Sequence, residues 1–291
     1  MMPVEVTIVR LRQRAARHAL TCASALLLWL VPGVVSAQGT ADPNPGRLTF
    51  TGGVDAPSVY VFRGILQETN PKITLWPYGD IGLVLASGDG AIKSVNVNVG
   101  VWNSLQTGSS GSEGFTEHAH YEEDFYSTLS FGLAKGLTAG LTYTAYTSPN
   151  QMFNTVKEVS VKVAQASRIN PYGLVALELG EYGADGGQNK GTYLELGAAP
   201  TWPMGRITLG VPVKIGMSLG NYYELNGADH AFGYLDIGGL LTIPLSGATS
   251  SFGAWNIHGG VDLLMFGDTT KAFNAGDSRK VIGLVGIGVT Y

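Results

Sequence analysis

"RITLGVPVKIGMSLG", residues 206–220, places Ile207, Leu209, Val211, Val213, Ile215, Met217 and Leu219 at every second position. Alternate side chains of an extended chain point to opposite faces, so this stretch carries one unbroken apolar face backed by small and polar residues, among them Lys214 and Ser218. It is longer than a usual strand of about 5–6 residues. It does reach the ~9–11 residues that a tilted strand needs to cross a bilayer. Pro212 is discordant, because a closed sheet needs the N–H it lacks, and it predicts a bulge.

The same alternation recurs along the chain. "KSVNVNVGVWNS" sets Val95, Val97, Val99 and Val101 against Ser94, Asn96, Asn98 and Gly100, and "GLTAGLTYTAYT" sets Leu137, Ala139, Leu141, Tyr143 and Ala145 against Thr138, Gly140, Thr142, Thr144 and Tyr146. Twelve such segments can be drawn, at 47–63, 72–85, 91–104, 120–134, 137–147, 156–165, 172–182, 192–200, 206–220, 231–244, 252–266 and 279–291. Every second link is a short turn: Ser87-Gly88-Asp89-Gly90, Lys135-Gly136, Ile169-Asn170-Pro171, Pro203-Met204-Gly205 and Ser246-Gly247-Ala248. The links between them are mostly longer and polar, including "LQTGSSGSEGFTEHA" (105–119), "NYYELNGADH" (221–230) and "GDTTKAFNAGDS" (267–278). Short turns at one rim and long loops at the other predict an all-β fold, a transmembrane antiparallel up-and-down β-barrel of 12 strands in the bacterial outer membrane. A soluble β-sandwich would have to bury twelve long apolar faces.

The N-terminus agrees with export. Arg10, Arg12, Arg14 and Arg17 precede the apolar run "ALTCASALLLWLV", and Pro32-Gly33 break it ahead of Val35-Ser36-Ala37. This reads as a signal peptide at 1–37, then a periplasmic linker at 38–46 and a barrel at 47–291. The only cysteine, Cys22, falls in the signal, so the mature chain has no disulfide and no thiolate ligand. Removing Glu5 and the four arginines from 18 basic and 22 acidic residues leaves 14 and 21, which excludes a basic nucleic-acid binder. Glycine, at 41 of 291 residues, is about twice the usual ~7%.

Trp76, Tyr78, Trp102, Phe125, Tyr126, Tyr172, Tyr182, Tyr193, Phe232, Tyr234, Phe252 and Phe266 fall near strand ends, where a bilayer interface takes amphipathic rings. The last segment puts Val281, Val285, Ile287, Val289 and Tyr291 on one face and looks like the terminal signal read by the barrel-assembly machinery, although Phe is the commoner final residue.

"SVYVFRGILQETNP", residues 58–71, with "GVWNS" at 100–104, resembles the opening motifs of the TorF-like porin family through Ser58, Tyr60, Phe62, Arg63, Gly64 and Pro71. The resemblance covers roughly the first third of the mature chain, and Val59 departs from it where a short polar residue is more usual. It implies a small-solute channel of a Gram-negative bacterium with no assigned substrate and no catalytic residues to carry over.

If apolar faces meet lipid, the opposite faces line a lumen. Parity places Asp80, Asn96, Asn98, Glu158, Lys162, Glu178, Glu195, Lys214, Asp236, His258 and Asp262 there. Carboxylates outnumber lysines in that set, which predicts a passive path for small hydrophilic solutes with a weak preference for cations. The alternative is that Glu158, Lys162, Glu178 and Glu195 pair across the interior and close it, giving a plugged structural or adhesive barrel. The loop Leu105 to Ala119 is a candidate for narrowing the lumen.

"HAHYEEDFYS", residues 118–127, sets His118, His120, Glu122 and Asp124 on one strand face at the outer mouth. Residues two apart on a strand are about 7 Å apart, so a tetrahedral zinc shell would need ligands from elsewhere. An acidic collar is the expected role, without metal or cofactor. An enzyme at the outer rim would need His118, His120, Asp229 and His230 to converge. "GADGGQNKGT" lacks the strand and helix of a phosphate loop.

Overall fold

The computed structural model describes residues 46–111, 117–180, 183–184, 189–245 and 253–291. The expected signal peptide, the linker up to residue 45, Tyr182, Phe252 and the turn Ser246 to Ala248 lie outside the described residues.

Twelve walls follow one another in chain order: β1 (Leu48–Pro57), β2 (Thr74–Ser87), β3 (Ile92–Gln106), β4 (His120–Leu133), β5 (Leu137–Thr147) and β6 (Val156–Gln165), then β7 (Pro171–Glu178), β8 (Thr192–Ala198 and Thr201–Met204), β9 (Ile207–Gly210 and Val213–Gly220), β10 (Phe232–Pro244), β11 (Ala254–Phe266) and β12 (Arg279–Thr290). Each pairs antiparallel with its neighbours in sequence, and β12 returns to β1 in a register running from Thr51↔Thr290 to Pro57↔Leu284. The sheet is therefore a closed, antiparallel β-barrel. Tyr291 completes the seam, exchanging both backbone hydrogen bonds with Phe50.

The two faces of the sheet differ as the alternation requires. Val99, Val161, Val261 and Val285 stand outward at 53%, 48%, 55% and 62% exposure, whereas their neighbours Asn98, Ser160 and Asp262 turn inward. An exterior with exposed large apolar side chains on every wall is a lipid-facing surface, far beyond the few hundred Å² of apolar patch that a soluble monomer exposes.

Three expectations change. Pro212 does not force a bulge: Gly210↔Leu240 and Val213↔Ile237 keep one register on the β10 side, and Thr201↔Gly210 and Val213↔Ala198 keep one on the β8 side. The Pro212 carbonyl still accepts the Gly238 N–H at 2.8 Å, so the missing donor costs one bond rather than a shift. The register instead slips between Gly216 and Met217. The first wall ends at Pro57, not at residue 63, and the chain turns inward there. Finally, most of the expected aromatic girdle lies inside. Trp102, Tyr126, Tyr193, Tyr234 and Phe266 are buried, and Trp76 and Tyr78 pack against that interior; Phe125 and Phe232 do stand outside, at 50% and 41% exposure. Glycine makes room for the interior rings. A Cβ at Gly216 would collide with the Tyr234 ring, and one at Gly100 with the Tyr126 ring, each directly across the ladder.

Arginine at an outward mid-wall position tests which face meets lipid. Val99→Arg is expected to lose about 2–4 kcal/mol of stability in lipid vesicles, measured by reversible denaturant unfolding, and a neutral result would oppose the assignment.

Candidate functional site: the lumen and its inward hairpin

Between β1 and β2 the chain forms a small hairpin inside the barrel, at the rim of the long loops. Val61–Phe62 pair with Ile65–Leu66 across the turn residues Arg63 and Gly64, which have φ of +40° and +83°. Positive φ at both central residues is the type I′ arrangement that fits strand twist, natural for glycine and strained for arginine. Tyr60 and Phe62 are each 1% exposed, so the hairpin fills the outer half of the lumen rather than standing above it.

Its tip is held by charge. Arg63 donates to both oxygens of Glu158 on β6, at 2.7 and 2.8 Å, and Nη1 also donates to the Tyr222 hydroxyl at 2.7 Å. The guanidinium carbon lies 4.0 Å from the Tyr193 ring centre and 5.2 Å from that of Tyr222. A fork-to-fork pair in a buried site gains from both bonds and geometry, and losing one partner would leave the other uncompensated. Along the hairpin's edge, Asn274 behaves like one rung of a third strand, accepting from Leu66 N–H at 2.8 Å and donating to the Gly64 carbonyl at 2.7 Å. Asn274 follows the short helix α1 (Asp268–Phe273) in the last long loop. The Tyr223 hydroxyl donates to the Arg63 carbonyl at 2.9 Å and that of Tyr60 to Glu122 at 3.1 Å.

The base of the hairpin is latched by Glu68. Its carboxylate accepts the Ser110 N–H and hydroxyl, both at 2.7 Å, the Asn70 N–H at 3.0 Å and the Ser109 hydroxyl at 3.2 Å. Burial alone would raise this carboxyl, but the N–H groups of Ser110 and Asn70 with the two hydroxyls outweigh it and hold Glu68 below its ordinary 4.5. The element that narrows the lumen is thus the segment after β1. The described part of the loop expected to do so, Leu105 to Ala119, serves as its fastening.

Toward the other rim the lumen is lined by a polar belt. Glu195 accepts the hydroxyls of Tyr193 at 2.7 Å, Tyr172 at 2.8 Å and Tyr234 at 3.0 Å. Lys214 pairs with Asp236 at 3.1 Å, and the Lys162 ammonium sits 4.4 Å from the Tyr172 ring centre. Asp262 and Asp236 share that wall on β11 and β10. Along β11, His258 lies 2.9 Å from Asp55 and 3.0 Å from Asn256, and on β2 and β3 Asp80 accepts from Asn98 at 2.6 Å and Asn96 donates to Ser94 at 3.3 Å.

Of the eleven residues placed inside by parity, Asp80, Glu158, Glu178, Lys214 and Asp236 are buried and the other six partly buried, and their partners differ from those expected. Glu158 binds Arg63, Glu178 accepts the N–H groups of Ala184 and Gly191 at 2.6 Å each, and Glu195 holds tyrosines. The carboxylates therefore do not close the lumen by pairing with Lys162. The outer-mouth set is divided. His118 is exposed, His120 contacts Asn103 at 2.9 Å, and Glu122 and Asp124 have no exposed surface. An exposed acidic collar is not what these carboxylates form, because the hairpin and Tyr60 cover them. His230 contacts Thr269 at 2.8 Å and Tyr223 N–H donates to Asp229 at 3.3 Å, away from His120. Among the described residues no three histidine or acidic side chains come together as metal ligands. Sequence reasoning treated Arg63 only as part of a motif and missed Asp55, Glu68, Tyr222 and Asn274.

Comparisons with solved structures find similarities at low identity. The NanC porin is 11% identical over 83% of this chain and 98% of its own, with a TM-score of 0.41. An outer membrane channel from Pseudomonas putida F1 is 8% identical over 87% and 99%, with a TM-score of 0.45. The translocator domain of the autotransporter NalP from Neisseria meningitidis is 11% identical over 98% and 95%, with a TM-score of 0.41. No family model and no curated protein matches the sequence.

The Glu68 latch gives a pH dependence of defined sign. A carboxyl whose folded-state pKa is depressed stabilises above its unfolded value and ceases to do so as pH falls through the folded one. Acidification through and below 4.5 should therefore loosen residues 58–72, seen as faster amide exchange. Glu68→Gln should be loosened already at pH 7, by about 1–3 kcal/mol, and should lack the acid step.

Proposed function

We propose that this chain is an outer-membrane channel of the porin type for small hydrophilic solutes, held constricted in this conformation by its inward hairpin. One observation carries the reading: a lipid-compatible exterior surrounds an interior whose lower half is lined by polar and charged side chains, several of them only partly buried. A barrel that served only as a membrane scaffold would have no need of the partly buried polar side chains of Asn96, Asn98, Lys162, Glu195 and Asp262 inside it. The motif at 58–71 supports placing it with the TorF-like porins, and the closing strand ending at Tyr291 fits a substrate of the barrel-assembly machinery.

Acidic residues set the selectivity. Below the hairpin, Asp80, Glu195, Asp236 and Asp262 face Lys162 and Lys214, so the local potential favours small cations. A permanently plugged barrel is the second reading, favoured by the burial of Tyr60 and Phe62.

Planar-bilayer currents separate the two. The wild type should give small or infrequent openings, and a variant with residues 60–66 replaced by a Gly-Ser linker should conduct several-fold more, with a reversal potential in a KCl gradient on the cation side. Silence of the linker variant would overturn the channel, and an anion-side reversal would overturn the selectivity.

A further inference from the structure

We infer that the pocket around the Arg63 head group is a receptor site for guanidinium-bearing solutes, occupied in this conformation by the chain's own arginine. The ownership of the contacting groups is the basis. Glu158 belongs to β6 and Tyr193 to β8, while Tyr222 belongs to the loop after β9. Tyr146, on β5, donates to Glu158 Oε1 at 3.2 Å and steadies the carboxylate. None of these residues is in the hairpin, so the cradle stays with the barrel when the hairpin withdraws.

The cradle matches a planar cation with two parallel donors. Glu158 offers a fork at 2.7 and 2.8 Å, the Tyr222 oxygen accepts a further N–H at 2.7 Å, and the Tyr193 ring lies 4.0 Å from the guanidinium carbon. A carboxylate beside two aromatic faces binds a weakly hydrated guanidinium, with its planar pair of parallel donors, better than a compact ammonium that lacks that fork. Arg63 reaches it from a strained turn, φ +40°, so a free solute making the same contacts would not require that backbone conformation. The tether gives Arg63 an effective concentration of about the millimolar range, and a free guanidinium compound must exceed that level to displace it. The role as solute entry rests on the channel reading above; the site itself does not.

The test uses the full chain in detergent micelles, read by the temperature at which the folded barrel is lost, so it needs no current. Arg63→Ala empties the cradle. 1-Methylguanidinium should then raise the unfolding temperature saturably, by about 5 °C, whereas methylammonium should raise it by less than half as much. The double variant Arg63→Ala/Glu158→Gln should not respond. Arg63→Lys retains a cation and guards against a failure of the alanine variant to fold; it should respond to 1-methylguanidinium in the same sense. An absent response in both single variants, an equal response in the double variant, or an equal effect of methylammonium would each overturn the site. Binding without conduction would count against the channel and leave the receptor standing.

Discussion

A backbone surrounded by lipid has no water to satisfy it, and every N–H and C=O on these walls must therefore find a partner in the sheet. Closure between β12 and β1 answers that demand, since it removes the two edges that an open sheet would leave. The tolerance of Pro200 and Pro212 follows from the same constraint. They lie on neighbouring walls, where the Pro200 carbonyl accepts Val211 N–H at 3.0 Å and that of Pro212 accepts Gly238 N–H at 2.8 Å. Each ring removes one donor while its acceptor stays in use, so the ladder continues at its register.

Closure then creates a second demand. Twelve strands enclose more space than their own inward side chains fill, unlike a barrel of about eight strands. The outer half of this lumen is occupied by a segment of the chain itself, and it brings a cation with it. A buried guanidinium is tolerable only with a carboxylate and further acceptors around it, which Glu158 and Tyr222 supply. The tyrosines that frame the pair need glycines opposite them, and the high glycine content is in part the spatial complement of the interior rings.

Period-two alternation made the walls legible, because one residue of slip would turn an entire apolar face inward. It also separated the polar face, on which Asp80 and Lys214 are buried with hydrogen-bonded or charged partners. The aromatic residues carried the same signal, which was overridden by their nearness to strand ends: Trp102 has the parity of Asn96 and Asn98, and Tyr126 that of Glu122 and Asp124. The hairpin could not be read this way. "SVYVFRGIL" alternates like a wall, and its turn is Arg-Gly instead of the Asn-Gly or Asp-Gly that usually marks a type I′ hairpin. Nothing local distinguishes a strand that continues from one that folds back inside, since the difference lies in partners as distant as Glu158, Tyr223 and Asn274.

Those distant partners also determine how the buried segment is held. Rings pack it, Tyr60 against Trp76, Trp102 and Tyr121 and Phe62 against Tyr146, while directional polar groups fasten its tip, edge and base through Arg63, Asn274 and Glu68. Directional contacts of this kind are lost together when geometry fails and regained together when it returns, whereas apolar filling yields by degrees. A buried ion pair adds little net stability over an apolar substitute, but a broken one is costly, so partly withdrawn positions of the hairpin are disfavoured relative to both docked and free ones. On the channel reading, an element held in that manner favours docked and free arrangements over intermediate ones.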